Sequence, residues 1–518
     1  MSTRPAAQRS RRSPRSLREA WPALAGLSMV FLFEMLDNSI LNVALPTIGR
    51  ELHASTTGVQ WVTGAYAVVF GGLMLMFGVV ADRFGRRRVM LVGLVLLGIA
   101  SLATAFVTSA EQLIAVRIAM GVAAAMTTPG SMALAFRLFD DDTLRVRAIT
   151  VISTVGLVGL AIGPALGGLV LAVAPWQVLL LVNVPVAALA IVGVRIGVAA
   201  DDPADLHRAP LDIAGAALGT AAIVLALVAP TLFANEGPAS WGPWTATAGA
   251  VAAAILFVVR ERSAQHPLLD LALVARPLVS SGLAFKAAAG LATAGIGYLV
   301  TLQLQLDWGW PPALAAVGML PQVVVLLAGG AVVEPFVKRV GLERAAWTSA
   351  ATVVVGLAVY SLLGHTGYVW VAVALALVAA GLRVVGVVAA TNVLRGLPGN
   401  RTTIGAALTD TVTEVASGVG IAVVGTILAV LFTGALTTPG WDAQQTGEFR
   451  LAVTIGGLVL TGLVAALVGW GIVRGQRGQG TEAAEAAGAA QGAQGTDAAM
   501  PATQGTAPAR APAGARTE

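Results

Sequence analysis

The stretch GVVADRFGRRR (residues 78–88) closes a long apolar run with a cluster of arginines. An apolar run of about 20 residues can cross a bilayer as a helix, and flanking arginines indicate its cytoplasmic end. A related stretch, GAVVEPFVKRV (330–340), closes another apolar run in the second half of the chain. In both, an acid follows a glycine by four residues, and basic residues follow the acid. The two stretches predict a membrane protein built from two related halves.

The composition agrees with a chain that lies mostly in lipid. Of its 518 residues, 57% are hydrophobic and 11% are charged, whereas soluble domains are about 25% charged. Fourteen segments are apolar enough to span a bilayer, and helix is expected because lipid offers the backbone no hydrogen-bond partners. The segments are 22–45, 57–80, 89–108, 111–137, 147–172, 176–198, 211–232, 244–260, 279–304, 312–335, 345–363, 368–394, 404–433 and 449–473.

Basic residues alternate between the connecting loops. The amino-terminal tail and every second loop are rich in arginine. In the intervening loops the only arginine or lysine residues are Arg50 and Arg450. Because basic loops stay in the cytoplasm, both termini are predicted to be cytoplasmic. An all-α fold follows, with two six-helix bundles and two inserted helices.

The predicted organisation has five parts. Residues 1–20 form a basic tail, and residues 21–200 form the first six-helix bundle. Residues 201–262 supply the two inserted helices, and residues 263–475 form the second bundle. The polar, Ala- and Gly-rich residues 476–518 are predicted to be a disordered cytoplasmic tail.

Several kinds of chemistry are excluded by what the chain lacks. It contains no cysteine, so it has no thiol nucleophile and no thiolate metal site. Its two lysines, Lys286 and Lys338, do not belong to a phosphate-binding loop. We therefore expect no enzyme activity, no cofactor, no bound metal and no nucleic-acid partner. Uphill transport would draw its energy from an ion gradient or from a partner subunit.

Ionisable residues inside the spans are few, and each costs roughly 2.5–3.5 kcal/mol at the centre of a lipid-facing helix. They should therefore face a protein interior or a wet cavity. They are Glu34, Asp37, Arg117, Lys286, Arg383, Asp410 and Glu414. A spacing of four residues places side chains on one helix face, which groups Glu34, Asn38 and Asn42, with Asp37 beside them, and also groups Asp410 with Glu414.

Two interpretations of these acids stay open. They could pair with the intramembrane cations as structural salt bridges, or they could carry protons and bind substrate. No histidine lies in the middle of a span, so carboxylates would have to carry any protons. Asp37 is the first candidate, followed by Glu34, Asp410 and Glu414.

The predicted fifth span contains GLAIGPALGG (159–168). Its glycines Gly159, Gly163 and Gly167 are spaced by four residues, which lets another helix approach closely. Pro164 removes a backbone hydrogen bond and can kink the helix. A packing motif is a sufficient explanation by itself.

The loop ADRFGRRR (81–88) also has two interpretations. Its arginines serve as a topology signal, for which Asp82 and Gly85 are not needed. An acid beside arginines at a helix end can also form a charge-assisted network. Such a network would latch one conformation and break in another.

These motifs identify a resemblance to the fourteen-helix drug:proton antiporters of the major facilitator superfamily, over about residues 20–475. LDNSILNVALP (36–46) resembles the family's first-helix motif, and residues 78–88 resemble its loop motif. Residues 159–168 are similar to the antiporter motif of the fifth helix, and LIAVRIAMGVAAA (113–125) is similar to the fourth-helix motif.

The resemblance implies a role for each matching residue. Asp37 would bind substrate and proton, and Arg117 would assist proton transfer. Glu34, Asn38 and Asn42 stay candidates for the same site on the strength of their position beside Asp37, not of the resemblance. Asp410 and Glu414 resemble acids of the thirteenth helix in some multidrug members. The loop residues Gly78, Asp82, Arg83, Gly85, Arg86 and Arg87 would control conformational switching, and Gly159, Gly163, Pro164, Gly167 and Gly168 would form the antiporter kink.

The favoured hypothesis is a proton-coupled antiporter in the bacterial cytoplasmic membrane. It would export amphipathic drugs or antibiotics, including cationic ones, by alternating access, and would work as a monomer in the lipid bilayer. One alternative is a dedicated exporter of a single endogenous metabolite or antibiotic. Another is a passive channel or a membrane sensor that does not transport.

Overall fold

The computed structural model describes residues 14–139, 141–201, 212–237, 239–265, 267, 270–397, 402–433 and 441–497. Nearly all of these residues are helical, as the sequence predicts. The predicted basic tail up to residue 13 and the last part of the predicted disordered tail, 498–518, lie outside the described residues.

The amino-terminal half is a bundle of helices that run back and forth. Some of its long helices begin at side-chain caps: Ser55 and Ser109 each accept a hydrogen bond from a backbone N–H three residues on. The helices are α1 (Trp21–Glu51), α2 (Thr56–Phe84), α3 (Arg86–Ala103), α4 (Ala110–Arg137), α5 (Asp142–Val173), the short α6 (Gln177–Leu181) and α7 (Asn183–Gly197).

The inserted pair consists of α8 (Ile213–Glu236) and α9 (Trp241–Ser263). These two helices pack on each other, and α8 also contacts α2. Asp212 caps α8 and accepts hydrogen bonds from Arg260 Nε at 3.1 and 3.2 Å. The pair is therefore tied together at the end of the bundle where α8 begins.

The carboxy-terminal half contains a second bundle. It begins with the short α10 (Leu271–Ala275) and α11 (Pro277–Leu302), which continues as a π-helical turn over Gln303–Asp307. The remaining helices are α12 (Pro312–Gly318), α13 (Leu320–Ala328), α14 (Gly330–Val340), α15 (Leu342–Leu363), α16 (Tyr368–Gly396), α17 (Thr402–Leu431) and α18 (Ala443–Asp497).

The two bundles repeat one packing pattern. In the first, α1 packs against α5 and α7, and α3 packs against α4. In the second, α11 packs against α17 and α18, and α15 packs against α16. The halves meet where α2 packs on α17 and where α5 packs on α12 and α13. This arrangement supports the two related halves predicted from the repeat, and α8 also contacts α17 at the first of these seams.

Within the described residues, twelve helices are long and apolar enough to cross a membrane. A bent pair, Thr57–Met74 with Met76–Phe84, would make a thirteenth. The predicted tenth span is divided among α12, α13 and α14, with Pro312, Pro321 and Pro335 at the start of or within the pieces. Pro321 removes a backbone hydrogen bond just after the break between α12 and α13, which accounts for that interruption, and the break before α14 falls at Gly329. The count of fourteen spans stays a prediction.

The last helix differs from its prediction. α18 continues to Asp497, so residues 476–497 are helical where the sequence predicts a disordered tail. Alanine is the strongest helix former, and this segment is rich in alanine. The alanine content therefore accounts for a helix in a segment that the sequence predicts to be disordered.

Candidate functional site

A cavity of about 210 Å³ lies between the two halves. Each bundle contributes the middle parts of its helices to the wall: α1, α2, α4 and α5 on one side, and α11, α13 and α17 on the other. The predicted site residues Asn42, Arg117, Pro164 and Glu414 line it. Residues from both halves thus meet at one central space, as a transporter binding site requires.

The cavity is closed toward one end of the bundle. We call the end where α1 begins the amino face, and the end where α1 finishes the opposite face. Gln60 Nε2 donates to the Ala422 carbonyl at 3.3 Å, and Gln305 Nε2 donates to the Val43 carbonyl at 2.8 Å. Both bonds join the two halves between the cavity and the opposite face, so they hold that end shut.

Asp37 lies in a buried ion pair. Its Oδ2 is 2.5 Å from Arg117 Nη1, and the two side chains are 0% and 1% exposed. Asn183 Nδ2 donates to the other carboxylate oxygen at 3.3 Å. The interpretation as a structural salt bridge, left open by the sequence, therefore describes this acid in the present conformation.

Arg117 joins three helices of the amino-terminal half. Besides its bond to Asp37 on α1, its Nε donates to the Val62 carbonyl of α2 at 3.1 Å. Its guanidinium carbon also lies 4.3 Å from the ring centre of Tyr66, within range of a cation–π contact. A change in the charge of Asp37 would therefore alter how Arg117 holds α1, α2 and α4 together.

Glu34 is also buried, at 2% exposure, and accepts a hydrogen bond from Thr128 Oγ1 at 2.7 Å. It interacts electrostatically with Asp410 and Glu414 across the two halves. Asp410 in turn interacts with Lys286. The structure thus brings the predicted acids together as two groups, Asp37 with Arg117 and the three others near each other. The side chain of Asn38 lies outside the described residues.

The predicted switch loop is a compact turn between α2 and α3. Asp82 accepts a hydrogen bond from Arg86 Nε at 2.6 Å, so the acid of the motif is in contact with one of its arginines. Arg83 lies over the ring of Phe84, 5.8 Å from its centre. Gly85 joins the two helices with a φ of 103°, a conformation that residues with a Cβ rarely adopt.

Asp201 holds this turn from a distant part of the chain. Its carboxylate accepts hydrogen bonds from the backbone N–H groups of Arg87 and Arg88 at 3.2 and 3.1 Å, at the start of α3. Arg87 Nη2 also donates to the Arg195 carbonyl at 2.8 Å. A carboxylate at a helix N-terminus is stabilised by the free N–H groups there. The loop is therefore fastened to the end of α7.

Replacing Gly85 with Ala should destabilise the protein by about 1–3 kcal/mol, because the backbone would be strained. The added Cβ would also collide with the Asp201 carboxylate. The thermal unfolding midpoint of the detergent-solubilised protein measures the effect. Gly78→Ala is the matched control, since a Cβ there meets no atom within 4 Å. Equal midpoints for the two variants would contradict this account of the turn.

The glycines of the fifth-span motif serve two interfaces. A Cβ on Gly159, Gly163 or Gly167 would press on α1, on the Leu32 and Ser39–Ile40 region. Gly168 instead faces the other half, where a Cβ would lie 2.7 Å from the Pro312 carbonyl oxygen. The motif thus packs α5 on its own bundle and seals the contact with the second bundle.

Sequence reasoning missed four partners: Tyr66, Thr128, Asn183 and Asp201. The first three are polar side chains within apolar helices, so a search for every intramembrane polar group would have found them. Nothing in the sequence distinguishes Asp201, because it lies in a polar stretch between spans, where acidic residues are common. Its role follows only from the fold, which brings it to α3.

The model of the Major Facilitator Superfamily matches residues 27–421. The multidrug efflux pump LfrA of Mycolicibacterium smegmatis is 30% identical over 443 residues, which cover 85% of this chain and 86% of the relative. The methyl viologen resistance protein SmvA of Salmonella typhimurium is 29% identical, with coverage of 82% and 86%. The lincomycin resistance protein of Streptomyces lincolnensis is 31% identical, with coverage of 64% and 68%.

Solved structures show the same fold at low sequence identity. A bacterial homologue of the human lysosomal transporter Spinster, inward-facing and unoccupied, superposes with a TM-score of 0.59 at 15% identity. It covers 88% of this chain and 97% of its own. The POT family transporter PepTSo gives a TM-score of 0.60 at 15% identity, covering 88% and 99%. This multi-pass membrane protein is a transporter rather than an enzyme, and it belongs to the Major Facilitator Superfamily.

Proposed function

We propose that the chain exports a small cationic drug or antibiotic across the bacterial cytoplasmic membrane in exchange for protons. The observation that carries the proposal is a central cavity that holds Glu414 and lies beside the buried Asp37–Arg117 pair. Buried carboxyl groups next to a binding cavity suit the exchange of a proton for a cation. The names of the relatives, which are resistance and efflux proteins, agree with export.

The direction of export rests on the predicted orientation. If both termini are cytoplasmic, the closed opposite face is the outer face, and the cavity loads from inside. The two related halves, which meet at a central cavity, suit alternating access better than a passive channel. Rocking of the two halves about the central site would then release substrate outside.

The two acid groups take different roles in this cycle. Glu414 lines the cavity, so it meets the positive charge of the substrate directly. Asp37 does not line it and is 0% exposed, so it acts on substrate through Arg117. A proton on Asp37 would weaken the ion pair that joins α1 to α4, and in this way would couple protonation to movement within the amino-terminal half.

The pH difference supplies the free energy for this exchange. When one proton enters as one monovalent cation leaves, no net charge crosses the membrane, so the membrane potential contributes nothing. Each unit of pH difference is worth roughly 1.4 kcal/mol, and a tenfold concentration ratio costs roughly 1.4 kcal/mol. One proton per cycle therefore supports about tenfold export for each unit of pH difference.

The test uses inverted membrane vesicles with an acidic interior. Adding a transported cation should release protons from the vesicles while the cation accumulates inside. A protonophore should abolish both, and vesicles without the protein should show neither. Accumulation that persists with the protonophore would contradict proton coupling.

A further inference from the structure

The side chains of the cavity wall indicate which class of substrate binds there. This inference rests on the proposed function. None of the side chains that line the cavity, all within the described part of the chain, is Phe, Tyr or Trp. Aromatic faces are what planar aromatic drugs and quaternary cations stack on. The wall offers them none. Tyr66, which is near Arg117, is 0% exposed and is not part of the wall.

Polar side chains, several of them hydroxyls, line part of the wall instead. Thr413 and Ser417 donate their hydroxyl hydrogens to carbonyls one turn back in α17, at 2.7 and 2.9 Å. Ser39 and Thr63 do the same in α1 and α2. A hydroxyl that has donated its hydrogen keeps lone pairs for accepting. Thr63, Thr413 and Ser417 therefore keep acceptor lone pairs at the wall that also holds Glu414, whereas the Ser39 hydroxyl packs against Gly163 of α5.

The wall also contains Arg117, Asn42 and Gln322, which bear N–H donors, so a complementary ligand offers both donors and acceptors, as hydroxyl groups do. An aliphatic ammonium group would meet Glu414, and several O–H or N–H groups would meet the hydroxyl oxygens. Apolar contacts come from small and flexible side chains such as Met35, Met319 and Leu326, which suit a saturated skeleton better than a flat ring. We propose that the substrate is a compact, non-aromatic amine that carries several hydroxyl or amide donors, as in an aminosugar-type antibiotic.

The experiment compares two cations on the full chain in liposomes. Lincomycin is a non-aromatic amine with several hydroxyls and an amide N–H, whereas methyl viologen is a flat aromatic dication without any O–H or N–H group. Binding affinity and substrate-driven proton movement are measured for both. We expect lincomycin to bind at least about tenfold more tightly, because two or more extra hydrogen bonds are each worth about fivefold.

Variants assign the preference to the wall. Thr413→Val combined with Ser417→Ala should weaken lincomycin binding by about tenfold and leave methyl viologen binding unchanged. Leu160→Phe, which adds a ring to the wall, should tighten methyl viologen binding only. Glu414→Gln should weaken the binding of both cations. The matched control is Thr348→Val, whose hydroxyl lies outside this cavity, and it should change neither.

The outcomes separate this inference from the proposed function. Methyl viologen binding equal to or tighter than lincomycin binding overturns the inference, as does an equal effect of the Thr413→Val and Ser417→Ala pair on both cations. Proton exchange driven by methyl viologen alone would keep the proposed export and reject the substrate class. Lincomycin binding that moves no protons would support the substrate class and reject proton-coupled export. Binding of neither cation overturns the inference.

Discussion

Replacing Asp37 with Asn is expected to reduce proton-driven efflux to the level of vesicles without the protein. Asn has nearly the same shape, and its carbonyl oxygen can still accept from Arg117 Nη1. It cannot take up and release a proton, so the coupling step is lost. Substrate should still bind through Glu414, although more weakly, because Arg117 in the cavity wall is left without its counter-ion. The measurements are cation accumulation in acid-loaded inverted vesicles and equilibrium binding in detergent.

Stability separates a coupling role from a purely structural one. Removing one partner of a buried ion pair leaves an uncompensated charge and costs about 3–5 kcal/mol. Asp37→Asn should therefore lower the free energy of unfolding, whereas the double variant with Arg117→Gln should recover most of that loss. If the pair is only structural, efflux would return with stability in the double variant. If efflux stays absent although the protein is stable again, the Asp37–Arg117 pair takes part in transport beyond its structural role.

Much of the fold could be predicted because lipid leaves the backbone few choices. Each long apolar segment must form a helix, and the repeat around residues 78–88 and 330–340 indicated two halves that the packing pattern supports. The breaks between α12, α13 and α14 could not be predicted in the same way. The prolines there were visible, but whether a proline bends or interrupts a helix depends on its neighbours.

The residues of the candidate site could be predicted from the sequence, but their positions around the cavity could not. Charges inside spans have to face the interior, which identified Asp37, Arg117 and Glu414. Sequence spacing fixes which side chains share a helix face, but it does not fix how far that helix is rotated toward the cavity. For that reason only the structure separates Glu414, which lines the cavity, from Asp37, which is enclosed by Arg117 and Asn183.

The second large effect is expected from Gly168→Val, through the balance between conformations. A Cβ at Gly168 would lie 2.7 Å from the Pro312 carbonyl oxygen and 2.8 Å from Ala313 Cα. Both are backbone atoms of the other half, which cannot turn aside as a side chain could. Overpacking of this kind costs about 1–3 kcal/mol. The cost falls on the state whose opposite face is closed, so the population should shift about 5- to 150-fold toward the state that is open there.

The native chain has no cysteine, so one introduced thiol reports this shift directly. Ile421→Cys, labelled from the opposite face, is suitable, because Ile421 is 7% exposed and is the α17 residue of the cavity wall that lies nearest to that face. Its labelling by a membrane-impermeant maleimide should rise in the Gly168→Val background, while efflux falls because the cavity no longer loads from the amino face. Gly462→Val is the matched control, since a Cβ at Gly462 meets no atom within 4 Å, and it should change neither labelling nor efflux. Unchanged labelling in Gly168→Val would mean that α5 and α12 do not form the closing contact. Increased labelling with normal efflux would mean that closure of this face does not limit turnover.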